Sequence, residues 1–254
     1  MIKDMKAFLK GLALAVTFAG ILILIFSPVF GPDREGKPRN GLQYSDSLFN
    51  RLAKGSSYFI PKLKEEKLAG LSSEPVSISV KLKEYKGADP EKDAKLMDNA
   101  VRVLTISGAR AQAAGDRINI TGDLKALLDR ALADSDSMYH NEGAQMAARY
   151  SAEEKDAKAL LRAWWNILES SVKELQKQGK NKEAEVVSQV NKKAVEPAYN
   201  FYKIQAQKVS ERAFTLLGVL VFYVAYTLWW GFAIYFMFEG LGLSTKKAKV
   251  KKEV

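Results

Sequence analysis

The chain has no cysteine and a single histidine in 254 residues. Without cysteine there is no disulfide framework, thiolate metal site or thiol nucleophile. With one histidine, a zinc site would need carboxylates or ligands shared between subunits. Serine hydrolase chemistry would have to use His140 as its base, yet no Gly-x-Ser-x-Gly elbow exists, and no phosphate-cradling glycine loop is present. Residues 11–30 and residues 213–238 contain no Asp, Glu, Lys, Arg or His. Such residues are the usual mark of ion pathways and proton relays within membranes, so one copy of the chain offers no evident transport route.

Two long apolar runs are what these absences leave behind. As helices they would reach ~30 Å and ~39 Å, enough to cross a hydrocarbon core. The expected architecture is an α+β membrane protein. Two transmembrane helices flank one mainly helical extracytoplasmic domain, which holds a small β-sheet and a helical hairpin. The segments read as a cytoplasmic tail (1–10), transmembrane helix 1 (11–30), a linker (31–41), the external α+β domain (42–212), transmembrane helix 2 (213–238) and a Lys-rich cytoplasmic tail (239–254). Cleavage of the first run as a signal peptide is the competing reading. Its apolar stretch exceeds the 7–15 residues usual for such a core, and no small-x-small site follows it.

Orientation is set by the short flanks, which weigh more than a long translocated loop. Lys3, Lys6 and Lys10 stand against Asp4 before the first run. Lys246, Lys247, Lys249, Lys251 and Lys252 stand against Glu253 after the second. Both termini are therefore expected in the cytoplasm of a bacterial inner membrane, with the central domain periplasmic. Taking away the eight lysines of the tails leaves 31 Lys and Arg against 26 Asp and Glu in the middle, a mild excess. That is too little clustered charge for a nucleic-acid partner.

Within the middle segment, Val76, Ile78, Val80 and Leu82 alternate with Ser77, Ser79 and Lys81, the pattern of a strand with one wet face. Asp89-Pro90 opens a helix that Gly108 can end. Gly115-Asp116 is the turn of a hairpin pairing residues 109–114 with 117–121, although the alanines could instead extend the helix. Asp123 starts a further helix with Leu124, Leu127, Leu128, Ala131 and Leu132 as its apolar stripe. Ser151 and Glu154 form a capping box. Behind it Ala157, Leu161, Trp164, Leu168, Val172 and Leu175 make a seam of coiled-coil character. Gly179 ends that helix, and a second runs back from about Lys182, is interrupted near Pro197 and resumes toward the membrane, with no breaker over residues 203–212. Over residues 90–132, the order of a helix, short strands around Gly115-Asp116 and a helix resembles the envelope BON module. The closing strand is missing, and no function is carried over.

Site candidates are few. Asp134, Asp136, His140 and Glu142 could ligate a cation, but Met138 and Tyr139 occupy the most diagnostic places of the calcium-loop template. Asn119-Ile-Thr121 matches a glycosylation acceptor, and core packing is the default for Trp164 and Trp165. No catalytic, cofactor or metal residue is assigned. In the first run Gly11, Ala15 and Ala19 form a small-residue stripe that allows close approach by another helix. In the second, Tyr223, Tyr226, Trp229 and Trp230 place polar tips near mid-depth, where they need a protein partner. The expected function is a non-enzymatic subunit or scaffold of an inner-membrane complex. Its partners are membrane lipids and another membrane or envelope protein, or a second copy of itself. The alternative is a homo-oligomeric channel or an assembly of the kind formed by polysaccharide chain-length regulators. The layout resembles theirs, with two terminal spans around an external helical domain, but the proline-rich stretch near the second span is lacking. An enzyme or sensor ranks third.

Overall fold

The computed structural model describes residues 2–33, 35–73, 75–82 and 89–243. The lysines of the C-terminal tail lie outside the described residues. The protein is mostly helical with one three-stranded sheet. It divides into two compact units, one drawn from Met1–Phe49 and Gln207–Val254, the other Asn50–Ala206.

The first unit contains α1 (Met5–Phe26) and α10 (Ala213–Leu241), which pack along each other. Asp4 caps α1 by accepting the N–H groups of Lys6 and Ala7. The helix stops at Ser27 because Pro28 disfavours helical backbone in the residue before it, and Ser27 is extended at ψ 148°. A 3-10 turn, Val209–Arg212, leads into α10. Met5–Phe26 and Val209–Leu241 are each long and apolar enough to cross a membrane. Between them α2 (Gly41–Ser56) begins in this unit and ends in the next.

In the second unit, α3 (Ile60–Leu63) carries Pro61 in its first turn, where the missing N–H costs no helical bond. Strand β1 (Pro75–Lys81) pairs antiparallel with β3 (Arg117–Asp123), and β3 pairs with β2 (Arg110–Ala114), giving the order β1-β3-β2. The β2–β3 connection is the Gly115-Asp116 hairpin, with Gly115 at φ +63°, and the alanines belong to the strand. Register places Ile78 opposite Ile120 and Val80 opposite Ile118, and all four are buried. Their face meets α4 (Pro90–Ile106) and α7 (Ala157–Lys177). Ser77 and Thr121, whose hydroxyls lie 3.4 Å apart, mark the wet face.

Helix α5 (Leu124–Tyr139) follows β3 directly, with Asp123 accepting from the N–H groups of Lys125 and Ala126. A short helix, α6 (Gly143–Ala148), comes next, and its exit overturns the expected capping box. Ala152 N–H bonds back to Ala147 and Ser151 N–H to Ala148, the paired bonds of a Schellman closure. Ser151 therefore sits in the left-handed region at φ +52°, not in the extended conformation of an N-cap, and α7 starts six residues later at Ala157. Trp164 lies fully buried on that helix, with Ala157, Leu161, Leu168 and Leu175 beside it in the core.

After Gly179 the chain returns as α8 (Asn181–Val190), packed antiparallel on α7. Pro197 does not interrupt this return. A π-helical turn, Asn191–Val195, precedes α9 (Glu196–Asn200), and its wider ladder, with Glu196 N–H on the Asn191 carbonyl, lets the missing proline donor pass within helical backbone. The break comes later. Lys203 takes φ +65°, and residues 204–208 are not helical, so α9 does not run into α10.

Candidate functional site

Contacts between α1 and α10 are made by small residues and ring faces. Gly11 is buried, and a Cβ there would lie 2.5 Å from the backbone N of Met237 and 2.8 Å from the carbonyl of Ala233. Gly240 takes the reciprocal place, where a Cβ would lie 2.5 Å from that of Phe8. At the same end Lys3 and Asp4 donate their N–H groups to the Gly240 carbonyl at 2.8 and 3.0 Å. Ala15 is half-buried on this side, and Ala19 faces outward. From Ala15 the line of least exposure continues through buried Phe18 and half-buried Leu22 and Ile25, stepping by alternating threes and fours from Phe8 and Gly11.

Phe18 stacks on Tyr226 with centroids 4.4 Å apart and lies 4.6 Å from Trp230. Trp229 donates its indole N–H to the Leu14 carbonyl at 3.1 Å. That carbonyl is already within the α1 ladder, and its second lone pair takes the indole. Three of the four polar-tipped rings thus contact α1. Tyr223 faces outward, 66% exposed, and Trp230 presents one edge outward.

The unit Asn50–Ala206 contains one carboxylate of the cation candidate in an unexpected setting. Asp134 is fully buried on α5. Arg149 reaches one of its oxygens at 2.8 Å, and the Trp164 indole donates to the other at 2.9 Å. The Tyr150 hydroxyl donates to that second oxygen as well. Arg149 also donates to the Ser137 hydroxyl at 2.8 Å. Burial pushes the Asp134 carboxyl above its usual range, and the three donors pull it back. Burial, reinforced by the Asp134 charge, pushes the Tyr150 phenol up as well. The arrangement ties α5, the α6–α7 connection and α7 together, with both carboxylate oxygens accepting from structural donors.

Asp136 points elsewhere. It accepts from the Tyr58 hydroxyl at 2.6 Å and stands 3.3 Å from His140 Nδ1. Burial, then the bond to Asp136, raises the Tyr58 phenol to about 12. Asp134 and the Asp136–His140 pair therefore serve different partners, and among the described residues no group of three or more such ligands converges. Next to them lies a buried ammonium. Lys54, 2% exposed, donates to Asn141 Oδ1 at 3.0 Å and to the carbonyls of Phe201 at 3.1 Å and Ile204 at 2.6 Å. Asn141 accepts the Lys203 N–H at 2.7 Å and donates to Ile204 at 3.1 Å. This clasp fixes the left-handed turn at Lys203 and accounts for the end of α9. No local pattern around Lys54 or Asn141 announces it, since their partners lie 147 and 63 positions away.

Trp165, the neighbour of the buried Trp164, lines a shallow cleft of about 210 Å³ with Arg162, Glu196, Tyr199 and Asn200. The Lys158 ammonium covers the Tyr199 ring at 4.6 Å. No family model matches this chain, and no curated protein or solved structure is significantly similar to it.

Proposed function

We propose that this protein is a non-enzymatic subunit or scaffold of a bacterial inner-membrane complex. In this reading both termini are cytoplasmic, the periplasmic domain binds an envelope protein, and the helix pair packs against a membrane partner. The observation that carries it is Tyr223. Its ring points away from α1, and its hydroxyl has no hydrogen-bond partner among the described residues. It lies near the middle of α10, where a lone phenol in hydrocarbon is costly and a second protein helix would satisfy it. A photo-crosslinking amino acid at Tyr223, activated in native membranes, should give a protein adduct heavier than the chain, and mild-detergent purification should give a matching complex mass. Adducts only to lipid would sink the reading.

A ring of identical copies, as a channel or chain-length-regulator-like assembly, is the second reading. Its support is that Ala19 and Gly20 face outward on α1, where small residues permit another helix to approach. Adducts only between copies of this chain would favour it. Orientation is tested separately: a reporter active only outside the cytoplasm should work after residue 87 and fail after residue 254.

A further inference from the structure

We infer that residues 27–49 form a collar seated in the bilayer's boundary layer between acyl chains and headgroups, an inference that rests on the membrane reading above. The backbone brings this segment back to where it left the span. Phe30 N–H bonds to the Arg39 carbonyl at 3.0 Å, Arg39 N–H to the Gly31 carbonyl at 3.0 Å, and Pro32 bridges to Pro38. The loop therefore closes on itself, and α2 begins beside the last turn of α1. Gly41 is buried there: a Cβ on it would lie 3.1 Å from both the side chain and the carbonyl of Ile25, and 3.2 Å from the Phe30 ring. Ile25 is the penultimate residue of α1. Whatever layer surrounds the end of that span also surrounds the first turn of α2.

What α2 turns outward suits such a layer. Leu42 is 54% exposed and Phe49 48%, seven residues apart and so on one side of the helix. Val29 and Val209, just beyond the ends of α1 and just before α10, are exposed as well. In contrast, the described residues of the unit Asn50–Ala206 expose only Tyr58, Phe59 and Ile106 among their large hydrophobics. Exposed apolar side chains thus gather within short reach of the spans. Arg39 and Tyr44 accompany them, the guanidinium 5.5 Å from the ring, and both have the amphipathic build found at headgroup depth. Lys37 is paired with Glu35 at 2.7 Å, so the loop offers no unbalanced charge at that point. The occupant of this surface is the lipid boundary layer, held by apolar insertion rather than by a cluster of cations.

Absence of cysteine makes the test direct, because each introduced thiol is the only one in the chain. The full chain would be placed in nanodiscs of phosphatidylcholine and phosphatidylglycerol, with a nitroxide at Leu42→Cys, Phe49→Cys or Val29→Cys. Val224→Cys on the outer face of α10 and Gln176→Cys on the domain surface serve as references. Collision with oxygen, which concentrates in hydrocarbon, is compared with collision with a water-soluble nickel chelate. Collar labels should show an oxygen-to-nickel ratio several-fold above Gln176→Cys and below Val224→Cys. A ratio equal to that of Gln176→Cys overturns the inference, as does protection from both reagents, which would mean that protein covers the surface. If Val224→Cys itself reads as aqueous, the membrane reading fails, and that result is distinct from either.

Discussion

The helix pair and the unit Asn50–Ala206 solve the burial problem in opposite senses. In Asn50–Ala206 the large apolar side chains are inside, and the polar groups that must join them, Asp134 and Lys54, each arrive with three or more hydrogen-bond partners. In α1 and α10 the large apolar side chains point outward, with Phe214 91% and Ile23 70% exposed, while glycine and ring faces occupy the contact. Water drives the first arrangement, because removing apolar area from it is favourable. The second gains nothing from apolar burial between helices if its surroundings are equally apolar, and close approach of backbones takes over. The contrast teaches that one region hides its large apolar side chains while the other displays them.

The largest expected effect tests the buried network. Asp134→Ala removes an acceptor shared by Arg149, Tyr150 and Trp164 and should destabilise the unit Asn50–Ala206 by roughly 3–5 kcal/mol. Trp164→Ala should cost about 3–5 kcal/mol, since that ring is fully buried. Lys158→Ala on the surface should remain within about 0.5 kcal/mol. Urea unfolding of the full chain, followed by near-UV circular dichroism, measures all three. Wild-type midpoints for the first two would show that the unit does not depend on its polar centre.

A smaller effect is expected in the helix pair, where crowding rather than loss of area is the lever. Gly11→Leu should force α1 and α10 apart at a cost of about 1–3 kcal/mol, whereas Ala19→Leu, facing outward, should leave the pair unchanged. Spin labels at Leu9→Cys and Leu241→Cys would read the separation, and equal distances in both variants would remove Gly11 from the contact. Smaller still, Trp229→Phe removes a side-chain hydrogen bond between these helices, worth about 0.6 kcal/mol by the average for such bonds between apolar helices. A loss as large as that of Asp134→Ala would erase the distinction between the two regions.

The least effect concerns alkaline pH. Tyr58 and Tyr202 are each raised from the ordinary 10.0 to about 12, by burial first and then by their bonds to Asp136 and Glu154. A phenol that holds its proton more tightly when folded contributes stability in full below the unfolded value, and loses it as pH rises through the folded one. The difference between wild type and Tyr58→Phe should therefore be constant below pH 10 and shrink toward pH 12. Phenolate absorbance across that window should show the two rings ionising late. Simultaneous ionisation of all ten tyrosines would contradict it.

Much of this architecture is legible in the chain because its signals are local. Period-two alternation marks β1, Gly115 marks the hairpin, and the 4-3-4 seam identifies the buried face of α7. Reading fails where a residue's fate depends on a distant partner. Ser151-x-x-Glu154 has the composition of a capping box, but closure of α6 takes Ser151 into the left-handed region first. Asp134 has the composition of a solvated helix end, and only the approach of Arg149, Tyr150 and Trp164 buries it. The small-residue stripe named Gly11, Ala15 and Ala19, while the face that meets α10 runs from Gly11 to Phe18, because an aromatic ring can pack flat on another where a small residue is not needed.

By itself the sequence determined the two apolar helices, the sheet's inner face and the apolar helix faces that make the core of Asn50–Ala206. These follow from periodicity and from the absence of charge, which act over a few residues. The tertiary structure alone decided that Lys54 is a buried clasp, that α9 ends before α10 begins, and that Trp229 finds its acceptor on Leu14. Each of those outcomes joins groups far apart in the chain, and hydrogen bonds between them exist only once folding has closed the loops that separate them.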